Sequence, residues 1–167
     1  KNPFFLIHEF KYCLALLWRD PLGQISLAVT TLFWGAGATL QFIVIKWADT
    51  ALGMGLTQSS MLQGAVAIGV AAGAILAARM ITLRTSVKVI PLGIAMGLIV
   101  LAMNFVHNTY LAVALLILIG ALSGFFVVPM NALLQHRGHI LMGAGHSIAV
   151  QNFNENLSIL VMTGLYF

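Results

Sequence analysis

The residues best able to do chemistry in this 167-residue chain lie close to its end, in the run Gln151-Asn152-Phe153-Asn154-Glu155-Asn156-Leu157-Ser158. The run interrupts an apolar stretch that begins near residue 144. Glu155 is about eleven residues into that stretch, which at 1.5 Å of rise per residue puts it near the middle of a lipid-spanning helix. A carboxylate at that depth costs roughly 2.5–3.5 kcal/mol on insertion scales, so it is expected to face water, cargo or a partner group. Gln151, Glu155 and Ser158 follow i, i+4, i+7 spacing and share one helix face, with Asn152 and Asn156 forming a stripe beside it. Such a ladder suits the lining of a polar cavity or the seam with another bundle. The plainer alternative is that the amides are glue between neighbouring helices. Gln41 is the second polar residue deep in an apolar run, with Thr31, Trp34 and Thr39 in the same helix, and it too reads either as cargo contact or as glue. Asn104 and Asn131 lie near span ends and are weaker candidates.

Other chemistries find no footing. No phosphate-cradling glycine loop, no metal-ligand cluster and no Ser/His/Asp set occurs in a plausible context, so neither a cofactor nor an enzyme activity is expected. His139 is seven residues from His146 with no thiol or carboxylate nearby in sequence, which argues against a metal site. His136, Arg137, His139 and His146 are instead expected at lipid headgroups or at a cytoplasmic gate. Cys13 is a lone cysteine, expected to be a small apolar filler near the membrane surface. The formal charge of +4 does not indicate nucleic acid, because the eight Lys and Arg are scattered among apolar runs rather than gathered into a stripe.

The elements that must position these residues follow from composition. Hydrophobic residues make up 60% of the chain and charged residues 7%, with a mean hydropathy of +1.00. A soluble domain is about one quarter charged, so the natural solvent of this surface is lipid. The expected fold is an all-α membrane helix bundle with five spans at about 25–46, 58–80, 87–106, 110–134 and 144–167, each near the roughly 20 residues needed to cross the hydrocarbon. Breaks are expected at 46–57, 82–86, 107–108 and 135–143. Residues 1–24 read as an amphipathic interfacial linker helix closed by Pro21-Leu22-Gly23. If the first span runs outward, Lys1, Lys11, Arg19, Arg79, Arg84, Lys88 and Arg137 fall on the inner side and only Lys46 on the outer, which the positive-inside rule reads as a cytoplasmic start. Trp47 and Tyr110 then fall at the outer interface. Gly69, Gly73 and Ala77 recur at every fourth position, as do Gly93 and Gly97, and such stripes let helix backbones approach closely. Pro91 and Pro129 sit where each could bend a helix. The chain has no initiator Met and stops at Phe167 inside an apolar run, so it reads as an excerpt of a longer protein.

Three longer stretches narrow the reading. Leu32-Phe33-Trp34-Gly35-Ala36-Gly37, the run from Gly124 through Pro129-Met130-Asn131 to Gln135 with Arg137-Gly138, and the run from Gly143 through His146-Ser147 to Gln151-Asn152 with Glu155-Asn156 resemble the bacterial lysophospholipid transporter family. That family belongs to the major facilitator superfamily, in which two six-helix halves rock about a midplane site. The resemblance covers essentially the whole chain and implies the carboxy-terminal half: a connector at 1–24, then helices seven to eleven. It implies a secondary transporter that moves lysophospholipids such as lysophosphatidylethanolamine across the inner membrane of bacteria toward the cytoplasm, where they are re-acylated. The implied partners are membrane lipid, the lysophospholipid, the amino-terminal half and an acyltransferase, which some members carry as a fusion. The region of Glu155 matches the family's polar helix-eleven motif, and the candidate substrate-binding residues are Glu155, Gln151, Asn152, Gln41, Asn156 and Ser158. Gln41 departs from the family, where an Arg is common after Thr39-Leu40; a neutral amide cannot grip a phosphate in the bidentate way of a guanidinium. Two other readings stay open: a proton-coupled transporter of a small solute or drug with the same fold, and a membrane subunit that transports nothing.

Overall fold

Local capping chemistry decides where each helix starts. In the computed structural model, which describes residues 2–167, Asn2 accepts a hydrogen bond from the Phe4 amide at 3.3 Å and Pro3 opens α1 (Pro3–Arg19). Lys1, one of the charges assigned to the inner side, lies outside the described residues. Pro is favoured at a first helical position because its missing N–H would have no partner there. The Pro21-Leu22-Gly23 stretch, expected to be a connector, is instead the first turn of α2 (Pro21–Leu52). Only Asp20 interrupts the helices, with ψ at 125°, and its Oδ2 accepts from the Gly23 amide at 2.7 Å. An Asp-Pro pair stops one helix and starts the next, so the same residues carry both signals.

α2 ends at Gly53, whose φ of 63° belongs to the left-handed region that glycine enters without strain. α3 covers Leu56–Met80. The span expected at 87–106 is not one helix: a 3₁₀ segment (Leu83–Val89) leads into α4 (Ile90–Ala102), and a 3₁₀ turn (Met103–Phe105) follows it. Pro91 occupies the first turn of α4, where it removes no ladder bond, so it starts a helix rather than bending one. Pro129 lies inside α5 (Thr109–Met142). The break expected at 135–143 is helical as far as Met142, and Gly143 alone turns the chain, with φ at 84°. Polar Gln135, His136 and Arg137 show where apolar character ends, but each is compatible with a continuing helix. α6 covers Ala144–Tyr166.

The described residues are all-helical and contain no strand. Four stretches are long and apolar enough to cross a membrane: Pro21–Leu52, Leu56–Met80, Leu83–Phe105 and Thr109–Met142. α6 has the length, but it does not reach the apolarity of those four, because its middle holds the polar run at 151–158.

The chain divides into two compact units, one built from the residues up to Thr39 with Met130–Phe167, the other from Leu40–Pro129. The first is centred on buried Cys13, Leu17, Leu27, Leu134 and Val150. α1 enters this core with Phe10, Cys13, Leu14 and Leu17, the i, i+3, i+4, i+7 face of an amphipathic helix. Phe10 also meets Phe153 of α6 edge-on, with ring centroids 5.0 Å apart. Burial pushes the Cys13 thiol up from its ordinary pKa, in keeping with a packing residue.

The second unit is centred on Ala48, Leu62, Met103, Leu116 and Ile119. Its organising feature is a reciprocal glycine seam. Gly69 and Gly73 of α3 lie directly on the α5 backbone at Ile117 and Ala121, while Gly120 and Gly124 of α5 lie on the α3 backbone at Val66 and Val70. Each glycine removes the side chain that would hold the two backbones apart, and the resulting contact drives association where lipid supplies no hydrophobic force. The second stripe behaves differently. Gly93 faces the Phe126 ring, where an added Cβ would come within 3.2 Å, but Gly97 has nothing within 4 Å. Trp47 is half-buried against this core, with its indole N–H enclosed, while Tyr110 is exposed.

Candidate functional site

The polar run of α6 resolves into groups with different tasks. Gln151 is 7% exposed and is the only member of the run that is fully buried. Its Nε2 donates to Glu155 Oε1 at 2.8 Å, one turn along the same helix, and to Asn131 Oδ1 of α5 at 3.3 Å. Both amide protons are thereby committed, and the half-buried Glu155 is tied through Gln151 to a second helix. Glu155 Oε2 and the Asn131 amide nitrogen keep their capacity for cargo or water. Asn131, a weak candidate in the sequence, is thus part of the group that ties Glu155 to a second helix. Its signal was present in the Pro129-Met130-Asn131 motif, but an Asn near a span end looks like an ordinary interfacial residue.

The neighbouring residues are not equivalent to this group. Asn154 donates to the Val150 carbonyl at 2.8 Å and Asn156 to the Asn152 carbonyl at 2.7 Å, both on their own helix. Back-bonding of this kind satisfies the amide locally and does not join helices. Asn152 and Asn156 are exposed. Ser158 does not extend the Gln151–Glu155 bond: its hydroxyl presses on Gly35 of α2, where a Cβ would collide with it and come within 3.0 Å of Met162. Gly35, in the Trp34-Gly35-Ala36-Gly37 motif, therefore allows α2 and α6 to touch.

Gln41 belongs to the other unit and is exposed. Its backbone carbonyl accepts from Gln63 Nε2 of α3 at 3.4 Å. Gln63, which the sequence reading passed over, is thus a long interhelical bond to α2, while the Gln41 amide itself is left outward.

A second polar cluster gathers residues far apart in the chain. Arg137 at the end of α5 grips Asp20, its Nε donating to Oδ2 at 2.9 Å and its Nη2 to Oδ1. Asp20 therefore caps α2 and fastens α5 with one carboxylate. His146 Nε2 meets Glu9 Oε1 of α1 at 3.0 Å. The sequence assigned Arg137 and His146 to headgroups or a gate because no acid was near in sequence; folding brings Asp20 and Glu9 to them across 117 and 137 residues. Gly138 packs against Ser147, holding α5 and α6 together between these two pairs.

This cluster predicts a pH response. The Arg137 guanidinium beside Asp20 holds its carboxyl below the usual carboxylate range, and the Gly23 amide bond adds to the effect. A carboxyl whose folded pKa lies below its unfolded one stabilises the fold at neutral pH. That contribution disappears as pH falls from the ordinary carboxylate value through the lower folded one. D20N should lower stability at pH 7 by about 1.5–3 kcal/mol, the worth of hydrogen bonds to a charged group. Melting curves of the detergent-solubilised protein between neutral and acid pH check this: the D20N deficit should vanish in acid, and a deficit that persists unchanged there contradicts the ion-pair account.

Curated proteins are similar to this chain along almost its whole length. The chain is 48% identical over 158 residues to the lysophospholipid transporter LplT of Yersinia enterocolitica serotype O:8 / biotype 1B (strain NCTC 13174 / 8081), covering 94% of this chain and 39% of that protein. It is 43% identical over 166 residues to the LplT of Pectobacterium carotovorum subsp. carotovorum (strain PC1), covering 99% of this chain and 41% of that protein. The chain belongs to the bacterial lysophospholipid transporter family. The LplT of Yersinia pestis (strain Pestoides F) is also 48% identical, over 152 residues. The chain spans about two fifths of the length of these relatives and matches a carboxy-terminal part of them. No protein-family model matches it, and no solved structure does. With four apolar helices and this membership, the chain is a multi-pass membrane protein of the major facilitator superfamily, and the name of its relatives is that of a transporter rather than an enzyme.

Proposed function

We propose that this chain is the carboxy-terminal part of a transporter that carries lysophospholipids, such as lysophosphatidylethanolamine, across the bacterial inner membrane toward the cytoplasm. The observation that carries the reading is the Asn131–Gln151–Glu155 group: a carboxylate tied through Gln151 to a second helix, in a chain with four helices apolar enough to cross a membrane. An amphiphilic cargo needs polar groups for its headgroup and apolar helix faces for its acyl chain, and α6 offers both. Glu155, Gln151 and Asn131 meet the headgroup in this reading, and Asn152, Asn156 and Ser158 belong to the wider polar lining; Gln41, in the other unit, is a candidate contact on its own. An amino-terminal half, within the greater length of the relatives, supplies the opposite wall and the cation that Gln41 lacks. The charge distribution favours a cytoplasmic position for residues 1–24. An acyltransferase, fused or separate, is the natural consumer of the product, because a lysolipid regains bilayer form only by acquiring a second acyl chain.

The test uses the full-length protein in proteoliposomes, with labelled lysophosphatidylethanolamine supplied on one side. Passage to the other leaflet, above that of protein-free vesicles, is expected. Movement of a small polar solute with no lysolipid passage replaces this reading with the proton-coupled alternative. Failure to move either, with a stoichiometric membrane partner co-purifying, replaces it with a subunit role.

A further inference from the structure

The first helix presents a side that neither the fold nor the transport site uses. α1 packs through Phe10, Cys13, Leu14 and Leu17. It is held against α6 by the Phe10–Phe153 ring contact and the Glu9–His146 pair. Its first turn stands clear of this contact: Phe4 is 78% and Phe5 62% exposed, and Leu6 and Ile7 are exposed too. Four consecutive residues cover the full circumference of a helix, so an entire apolar turn is uncovered by the chain. Farther along, Tyr12 (64% exposed) and Trp18 share the outward side with His8, Lys11 and Arg19.

The charges on this helix say what kind of surface fits. Its acid, Glu9, is taken by His146, and Asp20 just beyond its end is taken by Arg137. Among the described residues, Lys11 and Arg19 enter no ion pair. The outward side is therefore aromatic and cationic with no free acid upon it. Aromatic side chains settle at the level of lipid headgroups, and Lys and Arg on the polar side of an interfacial helix attract anionic lipid. A neutral protein surface would satisfy the rings but leave the two cations without partners.

We propose that α1 is an interfacial docking helix whose outward side binds anionic phospholipid headgroups, with Phe4 and Phe5 inserted among the acyl chains and Lys11 and Arg19 on the phosphates. The helix sits on α6, so lipid bound there is coupled to the helix that carries Glu155. The inference needs only that the chain lies in a membrane and stands apart from the transport reading.

The experiment places an environment-sensitive fluorophore at F5C in a full-length version whose other cysteines are replaced. It compares nanodiscs of phosphatidylcholine alone with nanodiscs containing increasing phosphatidylglycerol. The label should shift to the blue, and be quenched by lipid-borne quenchers, at a lower phosphatidylglycerol fraction in low salt than in high salt. K11Q and R19Q should each weaken the response about fivefold, and together about 25-fold. K11R with R19K should keep it, which separates lost charge from lost folding. A label that stays in water in every composition overturns the proposal. So does one that is buried equally in all of them and unreached by lipid quenchers, since the turn is then covered by protein. A lipid-quenched label indifferent to phosphatidylglycerol and to K11Q/R19Q overturns the anionic part. Labelled-lysolipid passage measured on the same samples shows separately whether the transport reading stands.

Discussion

On the proposed function, replacing Glu155 by alanine in the full-length protein should lower lysophospholipid passage roughly 10- to 150-fold while the protein still inserts and accumulates. The carboxylate is the one charged side chain in the polar run of α6, and it is anchored by Gln151, which is itself anchored by Asn131. Loss of a hydrogen-bonded charged group from a cargo contact is worth about 1.5–3 kcal/mol, or roughly 10- to 150-fold in rate or affinity. Two companion variants separate charge from packing. E155Q keeps an acceptor for the Gln151 amide and should melt like the wild type, yet transport poorly. N131A leaves the acid in place but frees Gln151, so it should lower affinity for the cargo more than it lowers stability. Transport by E155A at the wild-type rate, measured in proteoliposomes with protein amounts matched, removes Glu155 from the site.

The largest effect on stability is expected at the glycine seam. A Cβ on Gly73 would overlap the Ala121 backbone carbonyl, and backbone cannot swing aside as a side-chain tip can. G73L should therefore force α3 and α5 apart. Overpacking of a close contact costs about 1–3 kcal/mol where neighbours can adjust, and a backbone neighbour puts this case at or above the top of that range. The expected result is a large drop in melting temperature or failure to accumulate in the membrane. G97A, made in parallel, meets nothing within 4 Å and should stay within about 0.5 kcal/mol of the wild type. Equal melting of G73L and G97A contradicts the seam.

The comparison of Gly73 with Gly97 shows where sequence reasoning stops. Both lie in stripes of small residues at four-residue spacing, and both stripes suggest close helix contact. Spacing says which residues share a face but not what that face meets. Only the partners Ile117 and Ala121 on α5, and the return contacts of Gly120 and Gly124, distinguish a working stripe from an idle one. The same limit applied to Pro91, which reads as a kink from its place in an apolar run but stands in the first turn of a helix.

The candidate site divides in the same way. The acid in the middle of α6 and its i−4 amide were legible because both are local: the polar run stands out within its stretch, and helical period aligns Gln151 with Glu155. Asn131 was not legible as their partner, and neither was the grip of Arg137 on Asp20, since each joins helices that the chain order separates. By itself, then, the sequence determined that the chain is helical, has stretches apolar enough to cross a membrane, and is polar in the middle of α6, because solvent preference and backbone satisfaction act residue by residue. The tertiary structure alone decided which amide steadies the acid, which glycines touch, and which charges are already paired. Those outcomes depend on distances of a few ångströms between helices, and no pattern along a single chain encodes them.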